Sequence, residues 1–197
     1  MLIAKIVGSN SHVDYIARVI DKFDTSDPPE SDDYGFASFV SIPGGADTKT
    51  IGVIYNSMLM NPDYANYGPR LSPNPELGNF SPDFINEQGC LVGILLLGSI
   101  GDSGNIQQGV PARVIPPGQE VLTCDEEELL HFHTDKSGAM QIHYYSQIIS
   151  HAGSFAVPLL ESIIERLSIG CSDQDVKRLA VLKQNLAWQR TIGGMRL

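Results

Sequence analysis

Four of the five histidines fall late in the chain, at His131, His133, His143 and His151, with Cys124 and Asp135 near them in sequence. A zinc site needs three or four such ligands converging on one point. Neither a Cys-x-x-Cys nor a His-x-x-x-His spacing is present. On a helix, His131 and His133 point about 200° apart; on a strand they share a face. They are weak metal candidates, better read as polar or capping groups, and no cofactor is expected. Gly101-Asp102-Ser103-Gly104 resembles the nucleophile turn of a serine hydrolase over four residues, but no spacing fixes a histidine base and an acid beside it. A polar turn is the better reading, because Gly, Asp and Ser favour turns for local reasons. The acids Asp125-Glu126-Glu127-Glu128 would radiate around a helix rather than converge, and they suit a helix start, where the dipole favours them. No Gly-Lys pair occurs, so the chain carries no P-loop. No catalytic residue follows from any of these features.

The best candidate for ligand recognition is the stretch Asn66 to Pro73, where Arg70 stands among turn residues and aromatics. Arg70 offers a grip for a carboxylate or phosphate, with Tyr67 and Asp63 as further ligand-binding candidates. The competing reading is an arginine that anchors its own loop by capping carbonyls. Charge adds a second kind of candidate. The formal net charge is −10, which argues against strong direct nucleic-acid binding. Yet residues 21–33 hold six acids and one Lys, a net of −5, whereas Val176 to Leu197 holds five bases and no acid. Lys177, Arg178, Lys183 and Arg190 are thus candidate contacts for an acidic partner, the alternative being the solvated face of a helix. The acidic and basic stretches could also pair between copies of the chain.

The elements that must position these residues are short strands first, helices later. Leu2 to Val7, His12 to Ile20, Phe36 to Ile42 and Thr48 to Ser57 read as four strands separated by turn chemistry, with Gly52 a bulge or close-approach site. Residues 58–90 hold five prolines and three glycines together with Tyr64, Tyr67, Phe80 and Phe84, which predicts a long ordered excursion, an Ω-like loop or a cover over one barrel opening. Leu91 to Ile100 is the most apolar run and reads as a central strand. Residues 101–110 read as a loop, Ala112 to Ile115 as a short strand and Glu120 to Thr123 as the closing one. From Asp125 the pattern turns helical. A helix capped by Ser154 should run to about Ser168 with Phe155, Leu159, Leu160, Ile163, Ile164 and Leu167 inward. A last helix over about 173–190 should bury Val176, Leu179, Ala180, Lys183, Leu186 and Ala187. The expected fold is mainly β with α: a β-barrel domain over 1–124 and a helical appendage over 125–197.

The strand order gives the barrel a likeness. Ala4-Lys5-Ile6-Val7-Gly8, a polar turn, the strand Tyr15 to Ile20, then Phe36 to Ile42 and Thr50-Ile51-Gly52-Val53-Ile54 resembles a HAS barrel, the small barrel shared by HerA-type DNA-translocating ATPases and ATP-synthase subunits. The likeness covers about the first 60 residues and extends to about 123 if the barrel closes there. In those ATPases the barrel is an assembly module that packs beside its neighbours in a ring. The resemblance implies a stand-alone form, since no ATPase domain follows and no catalytic residue carries over. It further implies a role exercised by binding, with a HerA-like ATPase as the protein partner.

The three cysteines are odd in number and widely spaced, which predicts reduced thiols rather than a disulfide framework. Lys5 and Gly8-Ser9-Asn10 break the first apolar run, so no signal peptide is expected and the cytoplasm is the default location. No apolar run is long enough for a membrane helix. Two functions are compatible with these readings. One is a non-enzymatic interaction and assembly module, expected to be a homo-oligomer. The other is a small ligand-binding protein or hydrolase with a pocket under residues 58–90, using Arg70, Asp63, His131 and His133.

Overall fold

The structure, a computed structural model, describes residues 1–45, 47–60, 89–169 and 173–193. Among the described residues seven strands and four helices follow one another: β1 Leu2–Ser9, β2 Asp14–Val19, β3 Phe39–Pro43, β4 Lys49–Met60, β5 Gly89–Ile100, β6 Ile106–Gln108, β7 Glu120–Thr123, then α1 Glu126–His133, α2 Tyr145–His151, α3 Ala156–Ser168 and α4 Asp173–Gly193. The strands pair antiparallel in the order β2-β1-β7-β3-β4-β5-β6, and β5 also pairs with β2. That extra ladder, Asp14 to Arg18 against Leu95 to Leu91, closes six strands into a barrel. Beyond it, β6 continues the same edge of β5 as a hairpin from Gly98 to Ile100.

Period-two patterning explains both sides of the wall. Val92, Ile94 and Leu96 of β5 point into the barrel with Ile3, Ile6 and Val121, while Leu95 and Leu97 point outward against the helices with Phe132, Ile148 and Leu160. A strand buried on both faces has no polar register, which is why Leu91 to Ile100 reads as one apolar run. Gly52 is the close-approach site that its place in β4 suggested. The ladder to β5 shifts register between Ile51 and Gly52, and a Cβ there would lie 2.7 Å from Ile94 Cγ2.

Three strand expectations need correction. Ala112 to Ile115 forms no strand, because Pro111, Pro116 and Pro117 remove ladder donors around it. Ile115 is nonetheless buried in the barrel, and its N–H donates to the Tyr15 hydroxyl at 3.1 Å. The loop at 101–110 contains β6. Strand β4 runs on through Met58-Leu59-Met60, where an excursion was expected to begin, and β5 starts at Gly89 rather than Leu91.

The helices carry the outer half of the core. Asp125 caps α1, its Oδ1 accepting from the Glu128 N–H at 2.7 Å. Helix α2 was not foreseen; the segment before it makes a single bridge, Thr134 to Met140. Ser154 does not cap α3. It lies in a 3-10 turn, Gly153–Phe155, between residues Ala152 and Phe155 that already hold helical backbone, and a serine cap requires extended backbone. Phe155 is 42% exposed rather than inward; the other expected residues of α3 are buried. Helix α4 is turned from its expected orientation: Asp175, Leu179 and Leu186 are buried, while Val176, Ala180 and Lys183 face solvent. The reason is the hydrogen bond from the Met140 N–H to Asp175 Oδ1 at 3.2 Å, which gives an acid a partner on the inner face.

Candidate functional site

His133 is wholly buried, and its ring is consumed by structure. Nδ1 lies 2.8 Å from the Leu129 carbonyl and Nε2 lies 2.6 Å from the Tyr144 hydroxyl. A carbonyl only accepts, so Nδ1 carries the proton and Nε2 accepts from Tyr144. Phe39 and Phe132 meet the ring edge-on at 5.4 and 5.1 Å. Burial pulls its pKa down from 6.5 to about 4 and pushes the Tyr144 hydroxyl up, so the pair stays neutral. His131, two residues earlier on the same helix, is exposed instead, with Nε2 3.2 Å from the Gly104 carbonyl. The helix thus sends the two histidines apart, and the pocket expected to use both does not have both. Among the described residues no three His, Cys, Asp or Glu side chains form a metal-holding group.

His131 and Gly104 stand at the junction of two polar clefts. One, about 680 Å³, is lined by Ser103, Asn105, Thr134 and Gln141; the other, about 400 Å³, by Asp47, Asp102, Asp125 and Glu127. Ser103 is a turn residue whose N–H donates to Asp102 Oδ1 at 3.0 Å. Lys49 closes part of the second cleft by donating to Glu128 Oε1 at 2.6 Å, and the Ser41 hydroxyl donates to the same oxygen at 3.2 Å. That hydrogen bond raises the Lys49 pKa and ties β4 to α1. Burial raises the pKa of Cys124 and of Cys90, so both stay thiols without nucleophilic character.

The opposite chemistry lies at the far end of β4 and β5. Their ladder continues from Asn56 and Gly93 to Met60 and Gly89, beyond the stretch of β4 that pairs with β3, Lys49 to Val53. Met58, Leu59 and Met60 are 45%, 87% and 39% exposed. Beside them runs a groove of about 580 Å³ lined by Tyr34, Phe36, Tyr55, Leu59, Cys90 and Phe155. Phe36 and Phe155 face each other at 6.0 Å between ring centroids. A second groove of about 410 Å³ shares Tyr34 and Cys90 and continues over Ile20, Phe23 and Pro28. The 3-10 turn Ser31–Tyr34 contributes Ser31 and Tyr34 to the first groove, and Asp21 lines the second. The floor is firm: the Tyr55 ring lies over Gly93, where a Cβ would come within 2.9 Å of it, and its hydroxyl donates to buried Asp14 at 2.9 Å. Burial together with that acid pushes the Tyr55 pKa up to about 12.

The remaining candidates are distributed as follows. Lys177, Arg178 and Lys183 lie on the solvent side of α4, Arg178 against Asp175 at 3.6 Å and Lys183 against Glu165 at 2.7 Å. Arg190 belongs to α4, but its side chain is outside the described residues, as are Arg70, Tyr67 and Asp63 entirely. The apolar groove was missed from sequence because its residues come from four separate segments. The one local signal was Met58-Leu59-Met60, three apolar residues at a strand end. Among the described residues no helix is long and apolar enough to cross a membrane. A family model described as a domain of unknown function (DUF8166) matches residues 1–196. No curated protein matches the chain.

Proposed function

The chain belongs to the DUF8166 family, and we propose that it is a non-enzymatic assembly module that acts through protein–protein contact. The observation that carries this reading is the β4–β5 overhang, where Leu59 is 87% exposed beside a groove edged by Phe36 and Phe155. Exposed apolar surface of this kind marks contact sites, because a soluble chain gains nothing by leaving it wet. Strand ends that outrun their neighbours offer backbone groups for pairing as well. The buried His133 is occupied by Leu129 and Tyr144, and the two thiols have raised pKa values, which supports a role exercised by binding. The likeness to the HAS barrel supports a partner of a stated kind, a HerA-like ATPase whose ring the barrel would join from a separate chain.

The test has two arms on the purified full chain. Light scattering, with and without added salt, reads its own mass, and titration into a purified HerA-type ring ATPase reads binding. A discrete oligomer or saturable binding to the ATPase is expected. A monomer at every concentration that also leaves the ATPase unbound would overturn the reading.

A further inference from the structure

The groove has a chemical complement on the same chain. Its walls are apolar, and the acidic segment 21–33, net charge −5, borders it: Ser31 lies in its lining and Asp21 in that of the adjoining groove. An occupant must therefore combine apolar side chains with positive charge. The solvent face of α4 has that combination. Val176 and Val181 are 41% and 58% exposed there, with Ala180 between them and Lys177 and Lys183 alongside. Residues three and four apart along the helix are neighbours, so Lys177, Val181 and Gln184 form one row, Val176, Ala180 and Lys183 another, and Ala180 with Gln184 joins the two into a continuous strip. From Val176 to the end the sequence holds no acid. The ion pair of Lys183 with Glu165 is exposed on both sides, the kind that exchanges partners at little cost, whereas Arg178 is held by the buried Asp175.

We infer that the outer face of α4 from one copy of this chain seats in the Phe36–Leu59–Phe155 groove of a second copy. This inference rests on the assembly reading and names its contact. Groove and helix are different surfaces, so the contact is heterologous: each copy receives a helix at one site and offers one at another. Such a contact repeats into a closed ring, or into an open filament if the rotation does not close. Its charged rim makes it sensitive to salt, since exposed charges are screened over about 10 Å at 0.1 M.

The experiment is light scattering on the full chain and on two variants at exposed positions, Leu59→Asp in the groove and Val181→Asp on the helix. Both sites are more than half exposed, so the fold should tolerate the change, and matching thermal unfolding midpoints would verify that. The wild-type chain should exceed monomer mass and lose mass as salt rises. Each variant alone should be monomeric, because every contact needs one groove and one helix. An equimolar mixture should give a species of two chains and no more: the intact groove of Val181→Asp takes the intact helix of Leu59→Asp, and the two surfaces left over are both defective. Lys177→Glu should lower the wild-type mass at low salt and leave it unchanged at high salt. An oligomer unaffected by either Asp variant would overturn the inference while leaving the assembly reading in place, as would a mixture that stays monomeric because one symmetric face makes the contact. A wild-type monomer that binds the ATPase also overturns only the inference; one that binds nothing overturns both.

Discussion

The Tyr144 hydroxyl donates to His133 Nε2 at 2.6 Å inside the core that joins barrel to helices. With Nδ1 committed to the Leu129 carbonyl, a second proton on the imidazole would remove Tyr144's acceptor and bury a charge among Phe39 and Phe132. The pKa is accordingly lowered from 6.5 to about 4. A base whose folded pKa lies below its unfolded value binds more protons when unfolded, so stability rises with pH through that window. The contribution is complete above about pH 6.5 and is lost as pH falls toward 4. At pH 5 the loss from this one group is about 2 kcal/mol. Urea unfolding at pH 7.5 and pH 5 should show it in the wild-type chain, and His133→Asn should show a pH dependence smaller by about that amount. Equal pH dependence in the two chains would mean that His133 titrates normally.

A second buried pair is tested by deletion. Tyr55 donates to Asp14 Oδ1 at 2.9 Å, and Asn10 Nδ2 supplies the other oxygen at 3.0 Å. Tyr55→Phe keeps the ring over Gly93 and removes one donor from a carboxylate that is only 9% exposed. The expected cost is about 1–3 kcal/mol, that of an unsatisfied buried acceptor. A urea midpoint equal to wild type would show that water replaces the phenol.

Gly52 tests the barrel wall itself. Its missing Cβ leaves room for Ile94 Cγ2 at 2.7 Å and the Leu95 carbonyl at 3.1 Å. One neighbour is the tip of a buried side chain and the other is backbone in the facing strand. Gly52→Ala must push both, with an expected loss of about 1–3 kcal/mol from overpacking. Gly8→Ala, where nothing lies within 4 Å, is the control and should be close to neutral.

The barrel was readable because its strands announce themselves locally. Glu120 to Thr123 was placed to the residue, and the apolar run of β5 follows from burial on two faces. The orientation of α4 was not readable, because Val176 and Lys183 fit a helical stripe as well as Asp175 and Leu182 do, and the Met140 N–H that favours the second is a tertiary partner no spacing reveals. Helix α2 hid because its buried side chains, Gln147 and Ile148, are too few to set a period. The apolar groove draws Tyr34, Leu59, Cys90 and Phe155 from distant parts of the chain, and no spacing rule joins such residues. His131 and His133 were legible only as alternatives, and the helix chose the one in which they part.

The two helix starts make a final contrast. Asp125 has the extended backbone of a cap, φ −78° and ψ 166°, and accepts from the Glu128 N–H at 2.7 Å. Asp125→Ala leaves that donor without its side-chain partner and should cost about 1 kcal/mol. Ser154 has the residue type of a cap without its place, since it lies inside the 3-10 turn Gly153–Phe155 and Phe155, in helical backbone, occupies the cap position. Ser154→Ala should therefore leave the urea midpoint where it is. The pair of midpoints separates residue type from backbone conformation as the source of capping. If Ser154→Ala proved as costly as Asp125→Ala, the start of α3 would have to lie at Ser154, with Phe155 drawn into the helix as the sequence alone suggested.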